Sequence, residues 1–294
     1  MYELAMFELA LFAGAGGGIL GGHLCGFTCV GAVEIEEYPR EVLKQRQRDR
    51  ILPKFPIWDD VCTFRIDNPE CREYIELLRE HRENLIISGG FPCQDISSAG
   101  KGAGITKDTR SGLWFEFARI IDEIRPARVL VENSPMLTSR GLGVVLGDLA
   151  EMGYDARWGV LGAVDVGAPH KRERIWLLCS NSNMQSRFTE QERQHKRPEK
   201  LNGCSRGKMA TSFANSRDNR NVERVRKLRE GEQASCGGAG LGGGEEVYES
   251  REWWTTEPKL GRVANGVAKR VDRLKAIGNG QIPQCVFAAW RTLR

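Results

Sequence analysis

A cysteine directly follows an apolar run in Leu85-Ile86-Ile87-Ser88-Gly89-Gly90-Phe91-Pro92-Cys93-Gln94. A thiol at the end of a buried strand is placed to be a nucleophile, and Pro92 fixes the backbone just before it. A free thiol titrates near pH 8.5, so that role needs a nearby cation, a helix N-terminus or proton removal during attack. The alternative is an inert core cysteine. Against it, the polar, Gly-rich continuation from Gln94 to Gly102 favours an exposed loop.

Three further groups belong to the same chemistry. Glu132-Asn133 closes the apolar run Val129-Leu130-Val131, where a partly desolvated carboxyl can stay protonated and hydrogen-bond a heterocyclic nitrogen; a capping or surface acid is the other reading. Arg172 and Arg174 alternate along an expected strand and so share one face, which needs an anion or carbonyl partner unless it is a solvent face. Near the N-terminus, Gly16, Gly18 and Gly21 satisfy G-x-G-x-x-G after a strand, and Glu34 ends the next strand. Glycines there let backbone approach a ligand, and the carboxylate can accept the hydroxyls of a ribose. The pair predicts an adenosine-containing cofactor of unspecified kind.

The elements that must hold these groups are legible up to about residue 180. Apolar strands are expected at Glu8–Phe12, Cys29–Glu34, Leu85–Ser88, Arg128–Glu132, Tyr154–Leu161 and Arg174–Cys179. Glu70–Arg82 and Leu113–Ile124 carry apolar residues at helical spacing, the second ended by Pro126. Strands alternating with amphipathic segments indicate parallel βα units and an α/β core. After Cys179 the sequence turns polar and Arg-rich, with a Gly tract at Gly237–Gly244, which marks a domain boundary. A final helix is expected from Pro283, packing back on the first domain.

With 294 residues, 40% of them apolar and 28% charged, the chain has ordinary globular composition. No long uncharged apolar run or basic leader is present, so a soluble, cytoplasmic protein is expected. Nine cysteines without a Cys-x-x-Cys pair read as reduced thiols, and no metal site is expected. Net charge is +4, yet residues 181–230 carry 13 Lys and Arg against 6 Asp and Glu. Such a concentration suits a polyanion, or else forms a solvated face.

In content and order these motifs resemble the cytosine-C5 DNA methyltransferases. The resemblance rests on Phe12-Ala13-Gly14-Ala15-Gly16-Gly17, Glu34, Asp60-Val61, Gly90-Phe91-Pro92-Cys93-Gln94, Glu132-Asn133, Lys171-Arg172-Glu173-Arg174 and Gly278-Asn279-Gly280. It covers residues 8–180 and 261–290. Three departures are visible: Ala10 stands where Asp is common, Ser134 where Val is usual, and His170 where Gln is frequent. None removes a reacting group.

The resemblance implies a Rossmann-like, S-adenosylmethionine-dependent methyltransferase core formed by residues 1–180 and 261–294, with a small irregular target-recognition domain at 181–260. It implies that Cys93 attacks C6 of a flipped-out cytosine, that Glu132 holds N3 and the exocyclic amine, that Arg174 contacts O2, and that Arg172 positions the loop and a backbone phosphate. Phe12, Ala15, Gly17, Glu34, Ile35, Asp60, Val61, Pro92, Leu113, Asn279 and Gly280 would line the cofactor pocket, and Gln94 and Ser97 would face double-stranded DNA. A monomer without an obligatory protein partner is expected. Two other activities stay open from the residues: a nicotinamide-dependent oxidoreductase, on the glycine spacing and Glu34, and methylation of a tRNA cytosine. A third reading is a DNA-binding protein that keeps the fold without turnover.

Overall fold

The computed structural model describes residues 6–93, 105, 112–184 and 270–294. In chain order its main elements are β1 (Met6–Leu11), α1 (Gly17–Leu24), β2 (Phe27–Val33), α2 (Glu37–Arg48), β3 (Ile57–Trp58), α3 (Pro69–Glu80) and β4 (Leu85–Gly89). There follow α4 (Leu113–Ile124), β5 (Arg128–Asn133), α5 (Leu137–Arg140), α6 (Leu142–Glu151), β6 (Tyr154–Leu161) and β7 (Arg174–Asn181). The last two are α7 (Arg270–Asn279) and α8 (Pro283–Leu293).

The strands form one seven-stranded sheet in the order β3-β2-β1-β4-β5-β7-β6. Neighbours from β3 through β5 are parallel, whereas β7 runs antiparallel to both β5 and β6. The expectation of parallel units throughout therefore fails at β7. Its continuous burial from Ile175 to Asn181 is that of any central strand, and burial carries no direction.

Both faces of the sheet are covered, which is why the central strands are mostly apolar along their length rather than alternating. On one face Leu9, Leu11, Ile87, Val129, Val131 and Leu177 pack with α3, α4 and α6 through residues such as Ile75, Phe117, Ile121 and Val145. On the other, Ile86, Leu130 and Trp176 meet Val286, Ala289 and Trp290 of α8. The last helix thus completes the layer that α1 begins, as its apolar stripe predicted.

Local signals set the helix ends. Asn68 caps α3 by accepting from the Glu70 amide 3.1 Å away, with Pro69 in the first turn. Helix α4 stops where Arg125 turns left-handed, φ 56°, immediately before Pro126. Phe12, expected in β1, is left-handed instead at φ 52°. It ends the strand and begins the turn into α1.

Candidate functional site

In this strand order the chain reverses its progress across the sheet between β1 and β4, and ligands of open α/β sheets bind beyond the strand ends at such a point. A cleft opens there. Its walls include Phe12, Ala13 and Gly14 after β1, Ser88, Gly89 and Gly90 at β4, Glu132 of β5, and Asn279, Gly280 and Gln281 between α7 and α8.

The four expected reacting groups are assembled at this edge by topology. Because β7 is antiparallel to β5, its first residue arrives beside the last residues of β5: Asn133 pairs with Ile175, and Arg174 stands next along the chain. Arg174 Nε lies 2.8 Å from Glu132 Oε1. The Asn133 side chain donates 3.0 Å to the Phe91 carbonyl, tying the loop of Cys93 to the strand of Glu132. Phe91 is further held by the Trp114 ring, 5.4 Å away between centroids.

The electrostatics confirm the grouping. Burial pushes the Glu132 carboxyl up, while Arg174, a hydrogen bond from the Gln281 amide and Arg172 pull it back without cancelling the rise. Burial and then Glu132 push the Cys93 thiol up, against a lowering pull from Arg174 and Arg172. Cys93 itself is half-buried. The resting site therefore sets the Cys93 thiol, pushed up by burial, near a buried carboxyl that is also pushed up and near two fixed cations. An anion that forms on sulfur, or a carbonyl brought against Arg174, is stabilised there.

Arg172 departs from expectation. It precedes β7, adopts φ 37°, and does not share a strand face with Arg174. A non-glycine residue in that region is uncommon and costs energy that its surroundings must offset. Its Nη2 donates to the carbonyls of Gly278 and Gly280 at 2.7 and 2.6 Å. Arg172 thus clamps the turn between α7 and α8, and the strand periodicity that put both arginines on one face does not extend to it.

The glycines of α1 meet other parts of the chain at close range. A Cβ on Gly17 or Gly18 would collide with Gln281, one on Gly21 with Val286, and one on Gly22 with Glu8. Gly17, Gly18 and Gly21 admit the α7–α8 turn and α8 to the back of α1, and Gly22 admits the Glu8 side chain of β1. Gly14, by contrast, has φ 54° and open space where a Cβ would stand, so it alone of the run leaves free backbone surface in the cleft wall.

The groups expected to hold a cofactor lie along the same edge. Glu34 follows β2 and is buried, with Oε2 accepting from the Gly14 amide at 2.7 Å and Oε1 from the Glu36 amide at 2.8 Å. Burial raises its carboxyl above the ordinary range. Two carboxylate oxygens offer about four acceptor positions, so two stay available for ribose hydroxyls. Beside it Ile35 is 64% exposed, an apolar surface suited to a heterocycle. Asp60 and Val61 occupy the turn after β3, where Asp60 Oδ1 accepts from the Cys62 amide at 2.9 Å and Val61 joins the core. Ala15, Gly17, Pro92 and Leu113 are half-buried and Asn279 is exposed. These residues fit an adenosyl group. Gln94, Ser97, the basic segment and the Gly tract lie outside the described residues, as does nearly all of 181–260.

One functional residue, Gln281, escapes the sequence reading, and a second, Asn133, is read as part of the Glu132-Asn133 motif but without its partner. Asn133 acts through a backbone carbonyl 42 positions away. Gln281 follows Gly278-Asn279-Gly280 by one position and reaches Glu132 only because the chain folds back over α1. Neither contact has a spacing signature.

The family model described as C-5 cytosine-specific DNA methylase matches residues 6–274. The chain belongs to this family. Within it, the chain is 33% identical over 171 residues to the type II methyltransferase M.Sau96I of Staphylococcus aureus, covering 57% of this chain and 37% of that protein. Identity is again 33% over 190 residues to M.NgoBI of Neisseria gonorrhoeae (63% and 54%) and over 178 residues to M.HhaI of Haemophilus parahaemolyticus (59% and 49%). The chain thus spans about half or less of the length of these relatives. Membership in the C-5 cytosine-specific DNA methylases does not favour the nicotinamide-dependent oxidoreductase reading. Among the described residues no helix is long and apolar enough to cross a membrane.

Proposed function

We propose that this protein transfers a methyl group to C5 of a cytosine in double-stranded DNA, with S-adenosylmethionine as donor. The observation that carries the reading is the Glu132–Arg174 pair in the wall of a cleft that Gly14 also lines, with the loop of Cys93 tied to the strand of Glu132 through Asn133 and Gly14 held by Glu34. The donor supplies an electrophilic methyl when bound near Phe12, Gly14, Glu34, Ile35, Asn279 and Gly280.

Unaided, C5 of cytosine is too electron-poor to take that methyl. The Cys93 sulfur would add to C6 as its proton passes to solvent, and the ring electrons would move to C5. Glu132, its carboxyl pushed up by burial, would donate to N3 and balance the charge that develops there; Arg174 would steady O2. C5 would take the methyl from the donor's sulfonium, which leaves as the neutral thioether, then lose its proton to a general base as the C6–S bond breaks, which releases the thiolate and restores the aromatic ring. The cytosine must leave the stack because both of its faces take part. Residues 181–260 form the target-recognition domain in this reading, and their positive charge supplies the phosphate contacts.

Incorporation of tritium from methyl-labelled S-adenosylmethionine tests it, with duplex DNA, tRNA and no nucleic acid as parallel substrates. Label must appear in 5-methylcytosine of the duplex. Label confined to tRNA, or none in either, contradicts the proposal.

A further inference from the structure

Glu132 is held from two sides, and the second holder belongs to no motif that carries the base chemistry. Arg174 takes one carboxylate oxygen. Gln281 donates its side-chain amide to the same carboxylate. Both Glu132 Oε2 and Gln281 Nε2 come close to Gly90, at 2.5 and 3.3 Å from where a Cβ on that residue would stand. The absence of a side chain at Gly90 leaves room for this meeting.

Gln281 is also built into the donor cleft. Its backbone crowds Gly17, its Oε1 crowds Gly18, and it lines the cleft with Gly14 and Gly280. The turn that carries it is clamped through the Gly278 and Gly280 carbonyls by Arg172, which comes from the base-binding segment. Two side chains therefore cross between the halves of the site in opposite directions. Arg172 reaches from the base side to the donor side, and Gln281 reaches back.

We propose that Gln281 is a positioning residue for Glu132, fixing the carboxyl against N3 of the base. The inference rests on the methyltransferase reading above. An amide that donates to a carboxylate favours the ionised form. Removing it raises the affinity of Glu132 for its proton and loosens its aim.

The experiment compares wild type, Gln281→Leu and Gln281→Glu in single-turnover methyl transfer across pH, with alkylation of Cys93 followed at its own peptide by mass spectrometry. Loss of one hydrogen bond to a charged group corresponds to about 10- to 100-fold in rate, and Gln281→Leu is expected to slow transfer by that factor. The alkaline limb of its pH profile moves to higher pH, because Glu132 keeps its proton longer. The Glu132-dependent inflection in the alkylation profile moves the same way. Gln281→Glu faces one carboxyl with another, so its rate recovers on lowering pH whereas that of Gln281→Leu does not. In a Glu132→Gln background, Gln281→Leu costs nothing further.

A Gln281→Leu profile that superposes on wild type, or a loss that lies wholly in donor affinity, overturns the proposal. Should the leucine variant fail to fold, Gln281→Glu decides the same question: recovery at low pH supports the role, and a rate that stays low at every pH overturns it. A wild-type protein that transfers no methyl group contradicts the function reading instead, and the alkylation profiles, which need no nucleic acid, still decide the role of Gln281.

Discussion

Adding one methyl group at Gly90 tests whether the carboxyl of Glu132 must stand where it does. A Cβ there lies 2.5 Å from Glu132 Oε2 and 3.3 Å from both the Glu132 carbonyl and Gln281 Nε2. An ordinary C···O approach is about 3.3 Å, so the carboxyl has to withdraw by roughly 0.8 Å. Withdrawal on that scale stretches the 2.8 Å pair with Arg174 beyond hydrogen-bond range. A misplacement of about 1 Å in a reacting group costs on the order of a hundredfold in rate. Folding suffers less, since the atom that must move is the end of a flexible side chain; overpacking of about 1 kcal/mol is the expected scale. Gly90→Ala should therefore melt near the wild-type temperature, yet transfer methyl groups about a hundredfold more slowly in single turnover at saturating donor. A variant that stays within about threefold of the wild-type rate refutes the geometry argued for Glu132.

Three other perturbations give separable results. Glu8 is 1% exposed, its Oε2 has no hydrogen-bond partner among the described residues, and burial lifts its carboxyl from 4.5 to about 7 against the opposing Ser88 hydrogen bond. With the folded value raised, its contribution is full below about pH 4.5 and lost as pH rises to about 7, a change on the order of 3 kcal/mol. Denaturant midpoints at pH 5 and pH 8 should differ less in Glu8→Gln than in wild type, and parallel pH dependences would rule the buried acid out. Glu34→Ala removes an acceptor that holds the Gly14 turn and, in the proposed function, the ribose of the donor, so donor affinity by calorimetry should fall by about 10-fold or more; unchanged affinity contradicts the proposed placement of the cofactor. Glu132→Gln removes the charge that, once Glu132 ionises, raises the Cys93 thiol, so the pH at which Cys93 alkylates should drop while methyl transfer falls by orders of magnitude. An alkylation profile that stays put or moves upward denies their contact.

The parts of this fold that sequence reveals are those where one residue's environment is set by its neighbours in the chain. The stripe Phe117, Ile120, Ile121 and Ile124 gives α4, the run Leu85–Ile87 gives a strand buried on both sides, and Pro283 starts α8. Direction and distance are different. Nothing local in Arg174–Asn181 states that β7 enters the sheet reversed, yet that reversal is what sets Arg174 against Glu132. The two-residue β3 is too short to carry a period.

The site follows the same division. Cys93, Glu132, Arg174 and Glu34 stand at strand ends and could be named from the runs that precede them. The glycines of α1 are read correctly as close approach, but the approaching group in the structure is Gln281 and α8. Arg172 is misread by periodicity because its left-handed backbone breaks the alternation. The contacts of Asn133 and Gln281 are invisible to pattern, since their partners are Phe91 and Glu132 across the sheet edge.

A bond from the Cys93 sulfur to a cytosine ring is the step on which the proposed chemistry turns. Duplex DNA carrying 5-fluorocytosine in place of the target base permits attack and methyl transfer but blocks the final elimination, since fluorine does not leave as a proton does. Incubated with S-adenosylmethionine, the protein should become linked to this DNA in a complex that survives denaturant, with the modified peptide mapping to Cys93. A linked complex that forms equally well with Cys93→Ser, or maps to another cysteine, contradicts that chemistry.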